Sequence, residues 1–538
     1  MVKITTESSP IIRTRFAPSP TGHMHIGNLR TALYEYLIAK NRGGKFILRI
    51  EDTDQSRYQE DSLDVIFDTL HLTGLVYDEG PKVGGDYGPY IQSERKGHYL
   101  PYAKELIDKG KAYYCFCSKG KELNDQELND QELDAQESKK QADENKAQIF
   151  TEKVQQKYNR HCYNLPKDEI AALISQKTPY VIRQLIPEGK TTFSDQVFGD
   201  ITIDHKEIED QILIKSDGMP TYNFANVIDD HTMAITHVVR GSEYLTSTPK
   251  YKLLYEAFGW EVPTYIHLPL MLNESGEKIS KRRGDASISD LIDKGYLPEA
   301  IINYCALLGW SPSDNREFFT LQELVEAFDI KNISKSPSLY DPKKLDWING
   351  EYFKNMDSEV FFEIARETLE STIKTKNIDL REVAKMVQTR ILFVKDIYEL
   401  VDFIDQLPDY DITLYTHKKM KTDPAIALTA LEGILTVFES KFESESESKS
   451  ESKSESESES ESESKSESKS SWNNENLYAA AVEWGKSENF KNSQILWPIR
   501  TALSGKPSSP CGASELCALL GQEETVKRIK KGIEKLKG

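Results

Sequence analysis

The first well-patterned stretch is Ile11-Ile12-Arg13-Thr14-Arg15-Phe16, a β-prone run that halts at Pro18-Ser19-Pro20-Thr21-Gly22. Apolar residues then fall at Leu29, Leu33, Tyr36 and Leu37, the stripe of a helix over Gly27 to Lys40. Asn41-Arg42-Gly43-Gly44 ends that helix, and Phe46-Ile47-Leu48-Arg49-Ile50 predicts a second strand closing at Glu51-Asp52. Strand, helix, strand predicts a βαβ unit on a parallel sheet with a right-handed crossover. Ligands of such sheets sit beyond the carboxyl ends of the strands. Arg15, the Pro-Ser-Pro loop and Glu51 therefore mark the predicted site.

Farther along, residues 121–148 are very polar and stutter, with Glu-Leu-Asn-Asp-Gln twice and then Glu-Leu-Asp-Ala-Gln. Such a tract has almost nothing to bury and predicts an exposed helical insertion or excursion. Short β-prone runs follow at 180–185, 201–203 and 212–214, and mixed α/β patterning continues to about Leu270. Beyond Ser289 the pattern turns helical, and Pro298 sits in the first turn of a helix opening at Leu297. Residues 443–470 alternate Ser with charge and hold no apolar residue, so they predict a solvated linker or loop tip. The last helix, through Lys527-Arg528-Ile529-Lys530-Lys531, is basic.

At 538 residues the chain is too long for one core, and 38% hydrophobic residues exclude global disorder. No apolar run approaches the roughly 18 residues of a membrane span. The opening residues carry no apolar signal segment, so the expectation is a cytoplasmic protein without membrane contact. The net charge of −19 argues against a nucleic-acid partner until its distribution is read. Ten Glu and four Lys of the 443–470 tract supply six of those negative charges, and a polyanion responds to the local field. Six Cys form no disulfide framework.

Two segments carry the chemistry. His25-Ile26-Gly27-Asn28 lies at the predicted strand-to-helix turn, where a glycine permits close backbone approach and a helix N-terminus favours phosphate. Lys278-Ile279-Ser280-Lys281-Arg282-Arg283-Gly284 packs positive charge on a predicted loop, suited to a pyrophosphate leaving group. Either alone is weak; together and in this order they are specific.

These segments resemble the two signature motifs of class I aminoacyl-tRNA synthetases, and the surrounding residues resemble the bacterial glutamate–tRNA ligase family. The similar stretches are Arg15 to Gly22, Arg49-Ile50-Glu51-Asp52-Thr53-Asp54, the run from Gly88 to Arg95, Pro220 to His231 and His237 to Glu243. Leu496-Trp497-Pro498-Ile499-Arg500-Thr501-Ala502-Leu503-Ser504-Gly505 is similar to the family's anticodon-binding region. The resemblance covers nearly the whole chain outside the two low-complexity tracts.

It implies an α/β fold class: a Rossmann-like parallel-sheet catalytic domain with an inserted acceptor-binding α/β domain, then all-α stem-contact and anticodon-binding domains. The implied divisions are 1–110 and 219–270 for the catalytic domain, 111–218 for the insertion, 271–350 for the signature loop and stem contact, and 351–538 for the anticodon region. It implies ATP-dependent attachment of L-glutamate to tRNA(Glu) through an adenylate, by a monomer. Lys281 and His25 take the catalytic roles, and His25, Gly27, Asn28, Lys278 and Lys281 bind ATP with its Mg2+. Arg15, Ser19, Glu51, Tyr222 and Arg240 hold glutamate, with Glu51 on the ammonium and the arginines on carboxylates. A glutamine-specific synthetase of the same fold is the close alternative. A tRNA-modifying relative would lack the helical back half.

Cys115-Phe116-Cys117 and Cys162 supply three soft ligands, and Tyr158 or His161 would complete a zinc tetrahedron. Some members of the resembled family bind zinc through Cys-x-Cys followed by Tyr-x-x-x-Cys, the spacing of Tyr158 and Cys162. The 44 residues between Cys117 and Cys162 depart from the usual length, which loop closure tolerates. Ordinary reduced thiols are the alternative. Cys305, Cys511 and Cys517 are expected to be buried small residues in helices.

Overall fold

The computed structural model describes residues 11–20, 22, 24–54, 61–117, 160–279, 287–442 and 472–538. The polar tracts 121–148 and 443–470, and with them Tyr158 and Lys281, lie outside the described residues. Two compact units divide the chain, one up to Ile348 and one from Asn349.

The first unit opens on the βαβ motif. Strand β1 (Arg13–Phe16) pairs in parallel with β2 (Lys45–Leu48), Arg15 opposite Ile47, across helix α1 (Ile26–Asn41). A second set, in the order β6 (Gly199–Asp204), β5 (Lys190–Asp195), β9 (Thr264–Leu268), β8 (His237–Gly241), continues the architecture. Both β5 and β8 run parallel to β9, and the Thr236 N–H donates to the Arg13 carbonyl, bringing β1 beside β8. The third layer, β3 (Ala112–Cys115), β4 (Val181–Gln184) and β7 (Ile212–Ile214), is antiparallel and packs on helices Lys96–Asp108 and Tyr222–Thr232 through Tyr99, Leu106, Ile182 and Phe224.

Helix α1 differs instructively from its predicted stripe. Leu29, Leu33 and Leu37 are buried as expected, but so are Ala32, Tyr34, Glu35 and Ile38, while Tyr36 is only half-buried. The cause is a second partner: the Tyr34 hydroxyl bonds the carbonyls of Ala306 and Leu308, at the end of the helix Pro298–Leu307 that closes the outer side of α1. A helix covered on both sides has no polar face to read.

The hydrophobic pattern does not predict strand β5. Its alternation is complete, with Thr191, Phe193 and Asp195 buried and Lys190, Thr192 and Ser194 exposed. The inward set mixes one apolar residue with two polar ones, so the period of two is hidden in the hydrophobicity pattern.

The second unit is helical. Its longest helix, Ala513–Lys537, breaks at Gly521, whose φ of 76° is a conformation glycine takes without steric cost. Arg528 is buried in this helix and donates to the carbonyls of Phe403, Ile404 and Leu503, stapling three segments. The basic face is partly neutralised from within: Lys530 pairs with Glu439, Lys535 with Asp409 and Lys537 with Glu432. In the helix Asn492–Ser504, the Arg500 guanidinium lies 4.2 Å from the centroid of the Trp497 ring. Cys305 and Cys517 are buried in helices, whereas Cys511 is buried in the bend before the last helix. No helix of the described residues is long and apolar enough to cross a membrane.

Candidate active site

Parallel strands place their carboxyl ends on one edge, and the chemically notable residues collect there. Arg15 is on β1, Glu51 just beyond β2, Arg240 near the end of β8, His267 near the end of β9 and Asp195 at the end of β5. The topology thus gathers residues 15 to 267 without any being close in sequence.

A buried charge cluster forms the floor. Arg15 donates from Nε to Asp230 (2.9 Å) and from Nη1 to Glu35 (3.2 Å), with the Val239 carbonyl at 3.4 Å. Arg49, with no exposed surface, donates from Nη1 to Asp230 and from Nη2 to Glu51, both at 2.7 Å. Burial favours neutral carboxyls, and it pushes Glu35 well above its ordinary range and Glu51 upward as well, against the pull of Arg15 and Arg49. Asp230 faces the same desolvation, but the guanidiniums of Arg15 and Arg49 hold it below the usual carboxylate range. The cluster is not closed: Glu51 Oε2 is buried and accepts no hydrogen bond among the described residues.

Arg240 is different in kind. It is 7% exposed, yet no carboxylate of the described residues lies within ion-pair distance. Its Nε donates to His267 Nε2 (3.3 Å) and its Nη2 to Thr248 Oγ1 (3.0 Å). The rings of Tyr251, Tyr265 and Tyr244 have their centroids 4.5, 5.3 and 5.4 Å from its Cζ. Tyr222, 6.1 Å ring to ring from Tyr244, is raised well above its ordinary pKa by burial and by Tyr244 and Glu51, with Arg240 opposing. Tyr222 and Tyr251 are thus both influenced by Glu51 and by Arg240. Ser19 is half-buried in the Pro-Ser-Pro loop.

The turn before α1 modifies the expectation of a bare helix N-terminus. His25 is the N-cap, and its Nδ1 accepts from the N–H groups of Gly27 (3.0 Å) and Asn28 (3.3 Å). Those donors are already used. A ring nitrogen that accepts twice leaves the proton of a neutral imidazole on Nε2, which makes Nε2 a donor. Gly27 is required because a Cβ there would lie 2.9 Å from His25 Cε1: the close approach is made by the imidazole of His25 itself.

Lys278 belongs to a hairpin. Met271–Leu272 turns through Asn273 and Gly276, and Ile279 donates back to the Met271 carbonyl. Lys278 Nζ lies 3.3 Å from Glu243 Oε1, just past β8. The segment is tied to α1 at two places. Arg30 donates to the carbonyls of Pro269 and Leu308, and Ile288 donates to the Met24 carbonyl beside the His25–Ser287 bridge. Lys281 falls between these anchors in sequence and lies outside the described residues.

In the antiparallel layer, Cys115, Cys117 and Cys162 bring their sulfurs within 4.8 Å of one another. Cys115 and Cys162 are buried and Cys117 is exposed. The Phe116 N–H donates to Cys162 Sγ, and Arg160 anchors this returning segment by donating to Asp210 and to the Ile186 carbonyl.

The parallel sheet, the turn capped by histidine and the lysine hairpin tied to it fit the class I synthetase catalytic fold, which the family comparison shows for this chain. The family model described as the catalytic domain of class I tRNA synthetases (E and Q) matches residues 11–347, and one described as an anticodon binding domain matches 360–453 and 438–533. The glutamate–tRNA ligase of Clostridium acetobutylicum is 51% identical over 98% of this chain and 99% of its own, and that of Clostridium botulinum (strain Eklund 17B) 50% over 98% and 100%. A crystal structure of a glutamate tRNA ligase from Elizabethkingia meningosepticum, in complex with its amino acid, is 33% identical with a TM-score of 0.77, covering 98% of this chain and 100% of that one. The chain belongs to the glutamate–tRNA ligase family of class I synthetases.

Proposed function

We propose that the protein joins L-glutamate to tRNA(Glu) in two steps, forming AMP and diphosphate. The glutamate α-carboxylate attacks the α-phosphate of ATP, and a terminal ribose hydroxyl of the tRNA then displaces AMP. Both steps depend on positioning and charge stabilisation more than on a protein nucleophile. The observation that carries the reading is the unmatched polarity at one edge of the sheet: among the described residues, Arg240 is a buried cation with no carboxylate at ion-pair distance, and Glu51 Oε2 is a buried acceptor with no donor. Glutamate supplies the missing carboxylate and ammonium. Glutamine would leave Arg240 unpaired, which disfavours it.

In this reading Arg15, Ser19, Glu51, Tyr222 and Arg240 line the amino-acid site, and His25, Gly27, Asn28, Lys278 and Lys281 the ATP site. His25 Nε2–H is a donor for phosphate oxygen. Lys278 leaves Glu243 for the polyphosphate, and Lys281 is assigned to the departing pyrophosphate from the motif alone. Magnesium accompanying ATP offsets phosphate charge. Residues 111–218 are assigned to the tRNA acceptor end, 271–350 to the stem and 351–538 to the anticodon. The test is charging of purified tRNA(Glu) and tRNA(Gln) with both amino acids supplied. Glutamate on tRNA(Glu) is the expected product, and glutamine transfer alone would overturn the reading.

Cys115, Cys117 and Cys162 are proposed as zinc ligands, with Tyr158 or His161 as the fourth. Zinc–sulfur bonds of about 2.3 Å set tetrahedral sulfurs roughly 3.8 Å apart, which the cluster accommodates with small movements. Bound there, zinc would tie Cys162 to the end of β3. Elemental analysis of protein purified without added metal should give about one zinc per chain. Zinc that is absent, or that survives the triple Cys→Ser change, refutes the site.

A further inference from the structure

Three groups around Arg240 have no part in the reading above: His267 on β9, Asp195 on β5 and Thr248 at the start of the helix Thr248–Phe258. All are buried, and the side chains of His267 and Asp195 are wholly inaccessible. Asp195 is saturated by donors. Its Oδ1 accepts from the N–H groups of Val197 (2.9 Å) and Phe198 (2.8 Å), and its Oδ2 from the N–H of His267 (3.0 Å) and from His267 Nδ1 (2.7 Å).

A carboxylate that only accepts fixes the tautomer of the imidazole beside it. The proton of His267 stays on Nδ1, the lone pair on Nε2, and Nε2 receives the N–H of Arg240 Nε. A proton on Nε2 would set two N–H groups against each other. Burial depresses the His267 pKa and the charge of Arg240 adds to this, opposing the bond to Asp195, so the neutral ring is favoured. Thr248 Oγ1 holds Nη2 and itself donates to the Tyr244 carbonyl (2.9 Å).

We infer that His267, fixed by Asp195, and Thr248 are positioning residues that aim the Arg240 guanidinium at the substrate side-chain carboxylate without neutralising it. The inference rests on the proposed pairing of Arg240 with glutamate. The contrast with Arg15 gives its physical content. Arg15 is bonded directly to Asp230, whose carboxyl is held below its ordinary range, and to Glu35, so a fixed anion already faces it before any ligand arrives. Arg240 is oriented by two neutral acceptors, and the nearest fixed anion of this chain of bonds stands one imidazole away. Its position is therefore set while its full charge remains for a bidentate partner.

The test is a double-mutant cycle in the full-length protein, read by pyrophosphate exchange with glutamate in the presence of tRNA. His267→Leu and Asp195→Asn should each raise the KM for glutamate about tenfold or more, the effect of losing a hydrogen bond to a charged group, with the KM for ATP unchanged. His267→Gln, whose carbonyl can accept from Nε, should recover most of the loss. In an Arg240→Gln background the His267 change should add nothing, because its only route to the substrate is gone. An equal effect of His267→Leu in both backgrounds, or a parallel rise in the KM for ATP, shows a structural role and overturns the inference while leaving the reading of Arg240 intact. If Arg240→Gln alone leaves the glutamate KM unchanged, that reading fails and this inference with it. Should the leucine variant not fold, Thr248→Val removes the oxygen that receives Nη2, together with its bond to the Tyr244 carbonyl and its 3.2 Å contact with His267 Nε2, and completes a parallel cycle with Arg240→Gln.

Discussion

Replacing Arg49 with leucine should destabilise the protein by about 3–5 kcal/mol at neutral pH, the usual consequence of removing one partner from a buried ion pair. Arg49 has no exposed surface and bridges Asp230 and Glu51, each at 2.7 Å. Leucine leaves two carboxylates desolvated beside Arg15 alone, which is already shared between Asp230 and Glu35. The pH dependence has a definite sign. Asp230 is held below its ordinary pKa, so its contribution is present above the unfolded-state value and is lost as pH falls through the folded one. Without Arg49 the depression shrinks, so the variant should fall furthest behind the parent near neutrality. The gap should narrow toward about pH 4, where carboxyls begin to protonate in the unfolded chain. Thermal melts at several pH values check this. A constant gap across the series would mean that packing of the Arg49 side chain, and not its charge, is what matters.

The βαβ motif was legible because its signals are local. A β-prone run, two prolines and a helical stripe specify strand, turn and helix without help from distant residues. Arg15 and Glu51 could be placed at strand ends for the same reason. The surroundings of these residues were not legible. Asp230 is 215 residues from Arg15 and 181 from Arg49, and Asp195 is 72 from His267. Nothing in a local pattern says that such pairs meet, and the burial that makes them matter is a property of the assembled sheet. Strand β5 hid for a related reason, since two of its three inward residues, Thr191 and Asp195, read as surface. The turn at His25 is hidden differently: helix N-termini do expose N–H groups, but nothing in the sequence shows that the N-cap side chain is the acceptor that satisfies them. Cys115 and Cys117 stand out by their spacing, whereas Cys162, beyond 44 intervening residues, joins them through the Tyr-x-x-x-Cys pattern of the resembled family, and the fold brings the three sulfurs within 4.8 Å of one another.

The largest functional effect is expected from Arg240→Gln. If the guanidinium pairs the side-chain carboxylate of glutamate, its removal leaves a desolvated anion without a partner, and glutamate activation should lose about 3–5 kcal/mol of binding and transition-state stabilisation. Glutamine brings no charge, and its amide can exchange hydrogen bonds with the new side chain, so its activation should suffer much less. The ratio of the two specificity constants must then move toward glutamine. Complete inversion is not expected, for two reasons visible around the site. Arg15 remains nearby as a second cation, although Asp230 already pairs with it and Glu35 accepts from its Nη1. The tyrosines around Arg240 would also be left facing a smaller group, and His267 Nε2 would need a new donor. Pyrophosphate exchange with each amino acid, in the presence of tRNA, is the measurement. Equal losses for glutamate and glutamine would mean that Arg240 supports the shape of the pocket and does not read the side chain. A loss confined to glutamate would fix the buried cation without a carboxylate as the element that selects the substrate.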